Sequence, residues 1–120
     1  MITCGVDIIK IDRIKEMEKR KDKLFTQNEL KYFENLLNPY ESMAGTFAAK
    51  EAFAKCFGKG LEFIKFQEVE VLHTELHAPY FAFHGDTKKE IEENNLSFSL
   101  SISHDGDYAI AFVIKNIIDQ

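Results

Sequence analysis

Residues 2–9 alternate, with Ile2, Cys4, Val6 and Ile8 interleaving with Thr3, Gly5, Asp7 and Ile9, and a period of two predicts a strand. The period then changes. Ile11, Ile14 and Met17 recur every third position among charged residues, predicting a helix over 11–22. Thr26 is followed three residues later by Glu29, a capping box, so a helix is expected over 26–37, and Asn38-Pro39 stops it. Residues 42–57 carry the clearest helical signal. Their apolar positions point all round the axis, as in a helix buried on most sides, and Gly58 and Gly60 end it. Strands are predicted over 66–72 and 80–84, parted by a turn near Pro79, and a short polar helix over 86–95. Residues 97–103 alternate strictly. Asp105-Gly106 marks a hairpin before the continuous apolar run 108–114. Mixed helices and strands with a final antiparallel pair predict one α+β domain over 1–120, a small antiparallel sheet packed against helices.

The chain has 120 residues, 45% of them apolar, enough for one core, and so small a domain leaves apolar surface open to self-association. A net charge of −5 argues against general nucleic-acid binding. No apolar run approaches the about 20 residues of a membrane span, and no secretory signal pattern opens the chain. Cys4 and Cys56 form no C-x-x-C pair and sit in apolar runs, which reads as reduced thiols in a cytoplasmic protein.

Chemistry concentrates in a few places. Asp7 interrupts an apolar strand, where a carboxylate needs a cation, donors or water, or bonds nearby backbone amides. Lys50, Glu51 and Lys55 are the only charges in the helix over 42–57. Glu51 and Lys55 share a face, either as an ordinary solvated pair or as a carboxylate for a cation with ammonium groups for phosphate oxygens. Two carboxylates suit magnesium, which keeps several waters and binds substrate phosphates, and no zinc-like spacing is present. Gly58-Lys59-Gly60 is a helix stop or a phosphate-approaching loop. His104 lies beside a tight turn, where it is solvent-facing or bonds a phosphate or ribose. His73, His77 and His84 show no recognisable spacing. Residues 10–23 are locally basic in an acidic chain, a solvated face or a surface that steers an acidic partner.

Three blocks in order resemble the holo-acyl-carrier-protein synthase family of phosphopantetheinyl transferases. They are Gly5-Val6-Asp7-Ile8 with Arg13-Ile14, then Phe47-Ala48-Ala49-Lys50-Glu51-Ala52 through Lys55 to Gly58 and Gly60, and Ser101-Ile102-Ser103-His104 with Ala109 and Ala111. The resemblance implies a phosphopantetheinyl-transferase-like fold and transfer of 4'-phosphopantetheine from coenzyme A to a serine of apo-acyl carrier protein. It implies magnesium on Asp7 and Glu51, and Lys50 and Lys55 at the phosphates. Gly58, Gly60 and His104 would lie near the nucleotide, and Arg13, Arg20 and Lys21 would form a carrier-protein docking face. It further implies a homotrimer with active sites between subunits. Glu51 and Lys55 are the implied catalytic residues; either Glu51 or a metal-bound water is the base for the serine. The sequence departs from the family at Thr46, where many members carry Arg, and at Lys59, where Thr is usual. Two other readings use the same residues: a catalytically silent nucleotide-binding module, and a hydrolase of a nucleotide pyrophosphate.

Overall fold

The fold is organised round one long helix, and the computed structural model describes residues 2–58 and 65–118. Strand β1 (Thr3–Lys10) leads into α1 (Ile11–Glu16), a 3-10 turn, α2 (Lys21–Leu24) and α3 (Gln27–Glu34). The central helix α4 (Pro39–Phe57) follows. Then come β2 (Val69–His73), β3 (Pro79–Phe83), α5 (Gly85–Glu93), β4 (Leu96–Asp105) and β5 (Tyr108–Ile117). Among the described residues the strands form two antiparallel sheets, β1-β5-β4 and β2-β3.

Helix α4 lies across β1 and β5. The contact uses small side chains on both sides: Ala44, Ala48, Ala49 and Ala52 from the helix, Gly5, Ala109 and Ala111 from the strands, all buried. Gly5 shows how tight it is. A Cβ there would collide with the carbonyl oxygen of Ala52 and lie 3.0 Å from the Cys56 nitrogen. Farther along α4, Phe53 is fully buried among Phe57, Phe81, Phe83 and Phe98, with ring centroids 4.9 to 5.7 Å away. Removing such a ring typically costs about 3–5 kcal/mol.

Among the described residues no helix covers the other face of the three-stranded sheet. Val6 and Ile8 pair with Phe112 and Ile110, and all four are exposed. Beside them Ser101 and Ser103 of β4 oppose Phe112 and Ile110.

Several elements differ from the periodicity reading. The helix expected over 11–22 breaks at Met17, whose φ of −94° and ψ of 5° close α1. Proline 39 does not only end the preceding helix; it occupies the first turn of α4, where its missing N–H costs nothing. Residues 66–68 are a 3-10 turn, and β2 begins at Val69. In the final hairpin Asp105 pairs with Tyr108, so Gly106 (φ 58°) and Asp107 form the tip. The capping box at Thr26 is present in both directions. Gly60, expected near a nucleotide, and Lys59 beside it lie outside the described residues.

Candidate functional site

The close approach that Gly5 permits sets the depth of the next inward residue of β1, Asp7. Inward residues alternate along a strand, so Asp7 shares the helix-facing side with Gly5 and Ile9. It meets Glu51 of α4, and the two carboxyl groups stand within hydrogen-bonding range. Asp7 Oδ2 is buried and has no donor. The contact with Glu51 is a hydrogen bond only when one of the two acids holds a proton. Burial first, then the Asp7 carboxyl, pushes Glu51 up to about 7, while the positive charges of Lys55 and Arg13 oppose the rise.

Lys55 stands one turn beyond Glu51. Its Nζ donates to the Val6 carbonyl at 3.0 Å and to Asp7 Oδ1 at 3.2 Å. Its side chain remains 54% exposed, against 12% for Asp7. The ammonium is therefore anchored at the mouth of the acidic pair with room for an anion beside it.

The pair meets the requirements of a hard divalent cation. Of the two Asp7 oxygens Lys55 reaches only Oδ1, and among the described residues the buried Oδ2 has no donor, so the two carboxylates keep an oxygen free for a cation. Among the described residues no set of three or more His, Cys, Asp and Glu side chains comes together as a metal cage. Magnesium, bound through one or two carboxylates and completed by waters and phosphate oxygens, suits such a half-built site.

Lys50 is not part of this constellation, although it precedes Glu51 and the resemblance implied a phosphate contact. Neighbouring residues of an α-helix diverge by about 100°. Lys50 points into the interior, fully buried, and its Nζ donates to Glu29 Oε1 at 2.7 Å and to the Leu24 and Phe66 carbonyls at 2.8 Å each. Its donors are consumed, so it is a structural cation. Glu29, which the sequence offered only as a capping residue, also accepts from the Thr26 and Val71 amides at 2.8 and 2.7 Å. Thr26 and its neighbour Glu70 are also hydrogen-bonded, and Glu70 reaches His84 at 3.0 Å.

The other expected site residues occupy two places. Arg13 is exposed on α1 and close enough to Glu51 to act on its charge. Arg20 is exposed, and Lys21 pairs with Glu18 at 3.2 Å beside a cavity of about 290 Å³ that Leu30, Tyr40 and Met43 also line. Gly58 closes α4 in the left-handed conformation (φ 90°), which favours glycine. At the far end of β4, His104 Nε2 donates to the Glu41 carbonyl at 2.9 Å. It sits over Gly45, where a Cβ would come within 3.0 Å of that nitrogen. His104 borders a second cavity, of about 250 Å³, whose wall includes Thr46, His73 and His77. The two last were invisible as site residues in the sequence because their convergence with His104 depends on the β2–β3 hairpin.

Comparison with known proteins gives the family and the fold. The family model of the 4'-phosphopantetheinyl transferase superfamily matches residues 3–113. A holo-[acyl-carrier-protein] synthase of Clostridium tetani is 40% identical over 119 residues, covering 95% of this chain and 94% of that protein. The crystal structure of the holo-[acyl-carrier-protein] synthase of Neisseria meningitidis superposes with a TM-score of 0.88 at 34% identity, covering 97% of this chain and 99% of that one. A Chronobacterium ammoniagenes synthase in complex with CoA superposes with a TM-score of 0.86 at 29% identity, over 99% of both chains.

Proposed function

The chain belongs to the 4'-phosphopantetheinyl transferase superfamily, and from that premise we propose that it moves phosphopantetheine from coenzyme A to a serine of apo-acyl carrier protein, with magnesium at Asp7 and Glu51. The relatives' names supply the carrier protein, and the solved CoA complex supplies the other substrate. The observation that supports the metal assignment is the buried, unpartnered oxygen of Asp7 in a side chain that meets Glu51.

In this reading the serine hydroxyl attacks the phosphorus bonded to pantetheine. The new bond is serine oxygen to phosphorus. The broken bond is phosphorus to the bridging oxygen, so adenosine 3',5'-bisphosphate leaves. A bound divalent cation supplies charge neutralisation at the diphosphate. Asp7 and Glu51 would hold the cation. Lys55, tethered by Val6 and Asp7, presents its ammonium to the same oxygens, and the stabilisation is electrostatic, as is general in phosphoryl transfer. Either Glu51 or a water on the cation would receive the serine proton. Gly58, Gly60 and His104 are assigned to the nucleotide end of the substrate. Arg13, Arg20 and Lys21 are assigned to the acidic carrier.

The bare outer face of the three-stranded sheet supports self-association. Val6, Ile8, Ile110 and Phe112 form a contiguous exposed apolar surface on a small domain, and a second copy of the chain is its proposed cover. The proposed assembly is a homotrimer with shared active sites. Free thiols at Cys4 and Cys56 support a reducing, cytoplasmic setting.

The deciding assay incubates the chain with coenzyme A and apo-carrier protein, with magnesium or with chelator, and weighs the carrier by mass spectrometry. A gain of one phosphopantetheine with magnesium only is expected. Release of bisphosphate without carrier modification would show a pyrophosphate hydrolase instead.

A further inference from the structure

Apart from Thr46, the buried polar and charged residues among those described form one connected set: Thr26, Glu29, Lys50 and Glu70. Its core is reciprocal. Glu29 of α3 accepts from the Val71 amide of β2 at 2.7 Å, and Glu70 of β2 accepts from the Thr26 hydroxyl at the head of α3. The same hydroxyl takes the Glu29 amide at 3.1 Å, so its hydrogen is committed to Glu70 and a lone pair to the capping box. Hydrogen bonds in such a series reinforce one another where water is excluded.

The charges of this set do not balance. Two carboxylates, 1% and 3% exposed, stand against one ammonium, that of Lys50. The group in contact that can supply a second positive charge is His84, whose Nε2 lies 3.0 Å from Glu70 Oε1. The imidazole is 52% exposed and the Glu70 side chain 4%, so solvent reaches the ring but not the acid. Burial by itself would raise Glu70, but hydrogen bonds from Thr26, His84 and Asn28 outweigh it and hold the carboxyl below its ordinary 4.5. Glu70 therefore stays ionised near neutrality. A carboxylate only accepts, so Nε2 donates in either charge state of the ring, and the proton that comes and goes belongs to Nδ1.

The other charges round the ring are few. Glu68, whose carbonyl accepts the His84 N–H at 2.9 Å, commits its carboxylate to Thr87 and stands 3.9 Å from Lys65. Asp86 of α5 is 3.8 Å from the same lysine. Lys88, one turn into α5, meets the His84 carbonyl through its amide. Helix α3 presents uncharged Thr26 and Asn28, β3 presents Ala82 and Phe83 opposite Glu70 and Val69, and from α4 Lys50 feels the charge of Glu70.

We propose that His84 and Glu70 form a proton-operated clasp: the charged imidazole ties the β2–β3 hairpin and the head of α5 to the head of α3, and the neutral imidazole eases that tie. When the proton leaves, the two buried carboxylates face one positive charge instead of two, and the hold on Glu70 weakens. The clasp is firmest at lower pH and eases as pH rises through the range in which imidazoles titrate. At its inner end the same set seats Lys50, so it links the acidity of the solvent to the placement of the helix that carries Glu51. The clasp does not depend on what the chain catalyses.

Amide hydrogen exchange reads it directly, because the Thr26, Glu29 and Val71 amides all end on side chains of the set. Their protection factors, which remove the intrinsic effect of pH on exchange, would be measured at about pH 6 and about pH 8 on the parent and on a His84→Gln variant. Glutamine at this half-exposed position can donate to Glu70 and cannot become a cation. The parent should lose protection at the three amides by about threefold or more between the lower and the higher pH, and the variant should show the weaker protection at both. Glu70→Gln, which keeps an acceptor for Thr26, should remove the pH response as well. Parent amides that do not respond to pH, or a response that survives in either variant, would overturn the clasp.

Discussion

Lys50 Nζ lies 2.7 Å from Glu29 Oε1 with both side chains sealed from solvent, although Glu51, the next residue, belongs to the half-buried acidic pair with Asp7. One helix thus supplies a structural cation on one side and a functional anion on another. Burial pushes Glu29 up and Lys50 down, and in each case it outweighs the attraction of the partner. Such a pair specifies geometry more than it adds net stability. It fixes α4 against α3, the Leu24 and Phe66 carbonyls and the middle of β2 at one point.

Lys50→Ala should therefore lower stability by about 3–5 kcal/mol, because it strands a buried carboxylate. The double variant Lys50→Met/Glu29→Gln should be less damaged than the sum of the single changes, with a coupling of about 0.5–3 kcal/mol. Denaturant unfolding of the four proteins measures both. The folded fraction of each should keep the parent's affinity for coenzyme A.

Gly5→Ala should cost about 1–3 kcal/mol, since the added methyl meets the Ala52 carbonyl and the chain must part there. Parting β1 from α4 also parts Asp7 from Glu51. Transfer activity should fall far more than the melting temperature suggests, and adding magnesium in excess should restore only part of it.

Glu51→Gln separates function from stability. In chelator the variant should melt at or above the parent's temperature, because one of two facing acids has gone. With magnesium it should show no transfer. Calorimetry and the carrier mass assay read the two effects, and a variant that transfers at the parent rate would remove Glu51 from the metal site.

Acid stability should depend on Glu68. Its Oε1 accepts from the Thr87 amide at 3.0 Å and hydroxyl at 2.8 Å, capping α5, whose own N-cap residue His84 offers no side-chain bond. The Thr87 amide, chiefly, holds the Glu68 carboxyl below its ordinary 4.5. A carboxyl lowered by folding adds stability above its unfolded value and loses it as pH falls through the folded one. Parent stability should decline below about pH 4.5 for this reason, and Glu68→Ala should flatten that part of the decline while lowering stability by about 0.5–2 kcal/mol at neutral pH. Thermal melts from about pH 3 to 7 test both.

Arg20→Glu should raise the KM for carrier protein with little change in that for coenzyme A, and the effect should shrink with added salt. Arg13→Glu should disturb both substrates, because Arg13 also acts on the charge of Glu51. Identical effects of the two reversals would argue against a docking role confined to Arg20 and its neighbours.

The strands and the central helix were legible because their signals are local. Alternation gave β1 and β4, and a continuous apolar run gave β5; Thr26 with Glu29 gave the start of α3; and the all-round apolar pattern gave the burial of α4. What the pattern missed depends on the third dimension. The break at Met17 has no glycine or proline to announce it, and Pro39 reads as a stop until the next helix is seen to begin on it. Asp7 and Glu51 were legible because their blocks match a family, and the structure then shows why they converge, through Gly5. Lys50 was misread because adjacency along the chain says nothing about which way a helix turns a side chain. The grouping of His73, His77 and His104 follows from which elements border one cavity, and no spacing encodes that.

The uncovered side of the β1-β5-β4 sheet has a practical corollary. If copies of the chain meet there and each reaction centre is completed by a neighbour, turnover per polypeptide becomes a property of the solution and not of the molecule alone. Diluting the enzyme would then silence it before any copy unfolds, and a mixture of two different inactive variants would recover part of the rate that neither has by itself.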